Sequence, residues 1–244
     1  MQVYLIRHAQ SHNNAVMDNQ AERVADPPLT EVGLQQAERV AQYLKNSVSL
    51  EEIVHHPVHE RDNTTPHTIT HLFCSPMYRT LQTAFPIARE LDLTPVVWPD
   101  LHEQGGVFLE EDGVVNGKPG MTRAEILAQF PNYILPDSVT DEGWYDVNKG
   151  IEHFSDTMAR AVRVVAELRR RAQMEDFKDA KVALVGHGAA IDAIIKALIH
   201  NLPSDRYFYW HYNTAISFIE IVEDGVVMIR YLNRVTHLPP ELIT

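Results

Sequence analysis

The chain has 244 residues, 45% of them hydrophobic and 22% charged, enough apolar side chains to build one sizeable core. A net charge of -12 argues against partners that are bound by clustered Lys and Arg, so no nucleic acid and no anionic membrane surface is expected. A phosphorylated small molecule is not excluded, because its pocket needs only a local concentration of positive groups. The chain opens on a short apolar run, Val3-Tyr4-Leu5-Ile6, cut off by Arg7. That run is too short for a signal peptide or a membrane span, and a cytoplasmic protein is expected. From Thr30 to about Asn46, Leu34, Ala37, Ala41 and Leu44 recur at helical spacing. A strand over Ile69–Cys74 follows, and its lone cysteine reads as a buried thiol. Ser75-Pro76 has the form of a cap and first turn for a helix from Pro76 to Leu91, with Met77, Leu81, Ala84, Phe85 and Ala88 on its stripe.

Leu93–Trp98 reads as another short strand. Beyond an irregular stretch, Thr122 and Glu125 form a capping-box pattern for a helix that Pro131 ends. A longer helix is predicted over roughly Gly150–Ala172, with Ile151, Phe154, Met158, Ala161, Val165 and Leu168 on one stripe. The continuous apolar run Lys181–Gly186 is the strongest parallel-strand signal, and the helical run Ala189–Ile199 follows it. Two β-rich runs, Ala215–Val222 and Val226–Leu232, are joined through Asp224-Gly225, which is hairpin chemistry. The order predicts a three-layer α/β/α sandwich with a mostly parallel sheet. No linker composition and no repeat divides it, so a single domain is expected over 1–244, with an insertion at 51–70 and a lid at 104–149.

Two apolar strands each deliver a histidine at the carboxyl end, Leu5-Ile6-Arg7-His8 and Leu184-Val185-Gly186-His187. Ligands of open α/β sheets bind beyond the carboxyl ends of parallel strands, so the two rings converge if their strands are neighbours. Arg79 falls in the first turn of the helix after Ser75-Pro76, where free N–H groups and the helix dipole favour an anion.

Read together, these blocks resemble the histidine phosphatase superfamily, which includes the phosphoglycerate mutases. Leu5 to Asn14 is similar to the family's Arg-His-Gly box, with Asn14 at the spacing of its phosphate-side asparagine. Pro28-Leu29-Thr30 with Gly33, Gln36 and Ala37 resembles the next block, and Ser75-Pro76-Met77-Tyr78-Arg79 the Ser-Pro-x-x-Arg block. Leu101-His102-Glu103 resembles the acid block, Val185-Gly186-His187-Gly188 the second-histidine block, and Asn213 a tail match. The resemblance implies a phosphoglycerate mutase-like fold and a phosphoryl-transfer site. Its catalytic residues are Arg7, His8, Arg79, Glu103 and His187, with Ser11, Asn14, Gly188 and Asn213 as substrate contacts. Ala9 stands where the family usually has Gly, and its methyl is expected to be tolerated. The sequence after Glu103 follows the family's Gly-x-Trp-Glu continuation only loosely.

The implied chemistry is hydrolysis of a phosphomonoester through a phosphohistidine on His8, with the arginines neutralising the phosphate and Glu103 as proton donor, then base. Glu110 is the stand-in for Glu103. His187 is expected to add a contact when protonated. No metal and no cofactor is expected. The histidines at 55, 56, 59, 67 and 71 lack metal spacing and read as loop. Tyr207 to Tyr212 reads as packing, with a substrate-stacking wall as the alternative. A mutase is the rival function, disfavoured by the acidic stretch 104–149, and a non-catalytic phospho-ligand module is a third. A homo-oligomer is compatible with the sequence, which leaves the natural substrate open.

Overall fold

The computed structural model describes residues 1–16, 19–46, 69–222 and 224–244. Most of the expected insertion at 51–70, including its histidines at 55, 56, 59 and 67, lies outside the described residues. The strands in chain order are β1 (Gln2–Arg7), β2 (His71–Cys74), β3 (Val96–Val97), β4 (Phe108–Glu111), β5 (Val114–Gly117), β6 (Lys181–Gly186), β7 (Ile216–Ile221) and β8 (Val227–Arg234). The helices are α1 (His12–Ala15), α2 (Glu31–Asn46), α3 (Tyr78–Leu91), α4 (Arg123–Gln129), α5 (Phe154–Ala172) and α6 (Gly188–Leu198).

Alternation along each central strand divides the core between two faces, because successive side chains of a strand point to opposite sides. Tyr4, Ile6, Leu72, Cys74, Ala183 and Val185 pack with Val40, Ala41 and Leu44 of α2 and Leu81, Ala84 and Ile87 of α3. Val3, Leu5, Phe73, Val182 and Leu184 pack on the other side against Val164, Val165 and Leu168 of α5 and Ile191, Ile194 and Leu198 of α6. Each fully buried Val, Leu or Ile there contributes about 1.5–3 kcal/mol. The fold is therefore three-layered α/β/α, as the alternation of signals implied. Its main sheet has the order β3-β2-β6-β1-β7-β8. The contacts among β1, β2, β3 and β6 are parallel, and β7 and β8 add the antiparallel hairpin.

Several expectations shift. The expected strand Leu93–Trp98 shrinks to Val96–Val97, and the helix expected from Gly150 begins at Phe154, leaving Ile151 outside it and 39% exposed. Leu34 and Phe85, read as stripe positions, are 43% and 45% exposed. Leu34 lies at the edge of a stripe that runs through Gly33, Gln36, Ala37, Val40 and Leu44, so α2 buries a glutamine in place of that leucine. Gly33 is required: a β-carbon there would stand 2.1 Å from the Gln10 carbonyl oxygen, so only glycine lets α2 approach the loop after β1.

Residues 108–117, expected to be irregular, form the β4–β5 hairpin, turning at Asp112 and Gly113 with φ of 53° and 75°. Two successive positive-φ residues, Asp then Gly, are what a tight hairpin turn of this hand requires.

Cys74 is a fully buried strand thiol, and burial pushes it well above the ordinary thiol range. Native protein at pH 8 is expected to give no reaction with an aromatic disulfide reagent, and one equivalent after unfolding. A rapid native reaction would contradict the burial.

Candidate active site

Register brings the two strand-end histidines together. β1 and β6 pair in parallel with Arg7 opposite Gly186, and the His8 amide then donates to the Gly186 carbonyl at 2.8 Å. The His8 and His187 rings lie with centroids 5.1 Å apart. β2 runs on the other side of β6, so the turn after Cys74 delivers α3 and Arg79 to the same end of the sheet. Arg79 donates from Nε to His8 Nε2 at 3.2 Å. Thr83 ties the two segments, accepting from the Ala9 amide and donating to the Arg79 carbonyl.

His8 is buried, and its Nδ1 sits 2.7 Å from the Ala9 carbonyl oxygen. A carbonyl only accepts, so Nδ1 carries the hydrogen and Nε2 keeps a lone pair. Burial, reinforced by the Arg79 and Arg7 charges, pushes the ring well below the ordinary histidine range and holds it neutral. Burial lowers both arginines from their ordinary values, yet a guanidinium stays charged. Arg7 Nη1 donates to the His211 carbonyl at 2.5 Å, while its buried Nε has no partner among the described residues.

His187 is fully buried, and burial together with Arg79 pushes it toward neutrality, so the condition for a charged contact is not favoured. Its Nε2 lies 2.8 Å from Ser75 Oγ, which already accepts from the Met77 amide. The other ring nitrogen, Nδ1, is buried with no partner among the described residues.

A cavity of about 390 Å³ opens over this constellation, lined among others by Arg7, His8, Ser11, Asn14, Arg79 and Glu103. Asn14 Oδ1 accepts from the Ser11 amide and hydroxyl, and Asn213 Nδ2 donates to both Asn14 Oδ1 and the His8 carbonyl. Asn213, Gly188 and His187 are not among the lining residues, although Gly188 lies against the Arg7 guanidinium. The Ala9 methyl packs with Leu29 and Ala37, away from the lining, which explains how alanine is accommodated.

Glu103 accepts from the Gln104 amide at 2.9 Å and from the Ala190 amide, in the first turn of α6, at 3.1 Å. Its loop is fixed by the buried Arg160 of α5, which donates to the Asp100 and His102 carbonyls and pairs with Glu152 at 2.6 Å. Arg160 holds Glu152 far below the usual carboxylate range. Glu110 also lines the cavity, from the exposed β4–β5 hairpin. No residue of the Tyr207–Tyr212 segment is among the cavity's lining residues, but the exposed Trp210 ring lies 6.0 Å from the Arg7 guanidinium at its edge. Among the described residues no group of three or more His, Cys, Asp or Glu is gathered as a metal site, and no helix is long and apolar enough to cross a membrane.

Asp26 went unnoticed in the sequence. It accepts from the Tyr78 amide at 3.0 Å and stands 3.7 Å from Arg79 Nη1, 52 residues from its helix partner in the chain. The one local signal is turn punctuation at Asp26-Pro27-Pro28, which announces a loop and not its destination.

A family model described as histidine phosphatase superfamily (branch 1) matches residues 3–59 and 60–234. The chain belongs to the histidine phosphatase superfamily. Over 110 residues it is 37% identical to a probable phosphoglycerate mutase GpmB of Yersinia pestis, a match spanning 45% of this chain and 41% of that protein. Among solved structures, a phosphoserine phosphatase from Entamoeba histolytica, in complex with 3-phosphoglyceric acid, superposes with a TM-score of 0.60 at 19% identity, covering 98% of this chain and 99% of that one. A mycobacterial glucosyl-3-phosphoglycerate phosphatase in complex with VO3 superposes at 0.57, also at 19% identity, covering 95% and 98%. At such identities the likeness shows a shared fold.

Proposed function

We propose that this superfamily member hydrolyses a small phosphomonoester through a covalent phosphohistidine on His8 Nε2. The observation that carries the reading is the neutral, buried His8, with Nδ1 committed to the Ala9 carbonyl and Nε2 beside Arg79 on the cavity wall. Arg7 and Arg79 neutralise the equatorial phosphate oxygens while Nε2 attacks in line. The Asn14 amide on the cavity lining is a further donor, and the neutral His187 ring packs 5.1 Å from that of His8. As the Nε2–P bond forms and the P–O bond breaks, Glu103 gives a proton to the leaving oxygen. Glu103 then takes a proton from the water that cleaves the P–N bond, releasing phosphate and restoring His8.

A mutase is the second reading, favoured by the identity to the probable phosphoglycerate mutase. Against it, among the described residues the cavity lining adds only Arg23 to the two phosphate-side arginines and sets Glu110 and Glu103 beside them, a poor balance for retaining a bisphosphate. A non-catalytic module has no need of an unprotonated Nε2 beside two guanidinium groups.

Release of inorganic phosphate from a generic aryl phosphate in the presence of a chelator tests the hydrolase reading. Turnover is expected to survive chelation, and absence of release across the pH range would overturn it. Supplying 3-phosphoglycerate with and without its bisphosphate, and measuring phosphate and isomerised product together, separates hydrolase from mutase. Glu103→Gln is expected to lower kcat/KM, which reports transfer to His8 and not the later hydrolysis, by about 10²–10⁴ on an alkyl phosphate and much less on an activated aryl phosphate, whose leaving group needs little protonation. Equal losses on both substrates would remove Glu103 from the role of acid.

A further inference from the structure

We infer that Asp26 is a positioning residue for phosphoryl transfer, whose carboxylate anchors the Arg79 guanidinium beside His8 and loses that hold when it takes a proton. The inference rests on the phosphohistidine reading above.

Two attachments define where Arg79 sits in the unliganded site. Nε is engaged with His8 Nε2 at 3.2 Å, and Nη1 faces Asp26 Oδ1 at 3.7 Å, an ion-pair separation and not a hydrogen bond. For the proposed attack to occur, His8 Nε2 must be free to meet phosphorus, so Arg79 has to transfer its Nε contact to a phosphate oxygen. The Asp26 contact is the one that can persist through this exchange and act as the pivot. Asp26 itself is held in place: its Oδ1 accepts from the Tyr78 amide at 3.0 Å, supplying the acceptor that the N-cap residue Met77 lacks. Arg79 lies in the same first turn, so one carboxylate fixes both the helix start and the side chain that start presents.

The carboxylate is poorly compensated for its burial. Its side chain is 14% exposed, and Oδ2 is buried without a partner among the described residues. Burial therefore outweighs the pull of Arg79 and of the Tyr78 amide, and pushes Asp26 up to about 6. Among the described residues, Lys118 and Glu125 line the adjoining hollow with it, and Arg23, on the same loop, acts on Arg79. Glu103 acts on Arg79 from the far side of the cavity. Raised from 3.8, the group holds its proton more firmly in the folded protein than in the unfolded chain. Its contribution to stability is full below the unfolded value and is lost as pH rises through about 6. The state that anchors Arg79 is thus the less stable one, a conflict expected of a group kept for function.

The test is Asp26→Asn, which keeps an oxygen for the Tyr78 amide and removes the charge, with Asp26→Ser as a second capping variant. With one aryl phosphate as substrate for all proteins, its own second ionisation is common to every profile. Wild-type kcat/KM is expected to show one additional ionisation, rising with pH through about 6. Both variants are expected to lack it and to lose about 10- to 100-fold in kcat at pH 8, the scale of a misplaced catalytic group. Inhibition by orthovanadate should weaken in parallel, while the melting temperature of Asp26→Asn at pH 8 should be no lower than that of wild type. Variants that keep the wild-type profile, kcat and orthovanadate affinity would overturn the positioning role and leave the hydrolase intact. A wild-type protein that neither turns over nor binds orthovanadate would instead defeat the phosphohistidine reading, and this inference with it.

Discussion

His8→Ala is expected to lower turnover of an aryl phosphate by about 10⁴-fold or more while the fold stays in place. The size follows from the proposed role: without Nε2 there is no covalent intermediate, and the arginines and Glu103 are left to assist only direct attack by water. The fold survives because the backbone of this position is held independently of the ring. The His8 amide donates to Gly186 and the His8 carbonyl accepts from Asn213. Among the described residues the ring itself bonds only to the neighbouring Ala9 carbonyl and to Arg79. Circular dichroism should therefore show native secondary structure, and the variant should still bind orthovanadate through Arg7 and Arg79. A complementary result is expected from the wild type, in which rapid quenching after mixing with ³²P-labelled substrate traps an acid-labile, base-stable label on the protein. Retention of a tenth of the wild-type rate by His8→Ala would exclude His8 as the nucleophile.

Much of this site was legible because it is built from short local patterns placed at strand ends. An apolar run followed by histidine, occurring twice, needs only parallel neighbours in register to become a pair, and β1 and β6 supply that register residue by residue. The Thr122–Glu125 capping box is equally local, and it forms as read. The β4–β5 hairpin was missed although Asp112-Gly113 marks its turn, because Phe108-Leu109-Glu110-Glu111 does not alternate in polarity. Asp26, Arg160 and Glu152 escaped for a different reason. Each works through a partner or a backbone carbonyl distant in the chain, and a charged residue in a loop or helix looks the same in sequence whether it faces water or a buried carbonyl. The neutral state of His187 was also beyond reach, since it depends on complete burial beside Arg79.

Lys196→Met is expected to cost about 3–5 kcal/mol, the scale for breaking one side of a buried ion pair. In sequence, Asp192 and Lys196 are an ordinary i,i+4 pair on a helix, worth about 0.3–0.5 kcal/mol if exposed. In the fold both side chains are inaccessible, at 1% and 0%, and joined at 2.7 Å. The ammonium also donates to the Ser204 and Tyr207 carbonyls and sits 4.6 Å from the Tyr207 ring centroid, while Asp192 accepts from the Tyr209 amide. Methionine would fill the volume but leave a buried carboxylate uncompensated and two carbonyls without donors. At about 2–4 °C per kcal/mol for a chain of this size, the melting temperature should fall by about 6–20 °C. Adding Asp192→Leu should recover only part of that loss, because three backbone groups of the 204–209 segment stay unsatisfied. The segment continues to His211, whose carbonyl receives Arg7 Nη1, so loosening it should also weaken orthovanadate binding at temperatures where the variant is still folded. A melting temperature within 2 °C of wild type would mean that this pair is solvated in solution and holds neither the segment nor, through it, Arg7.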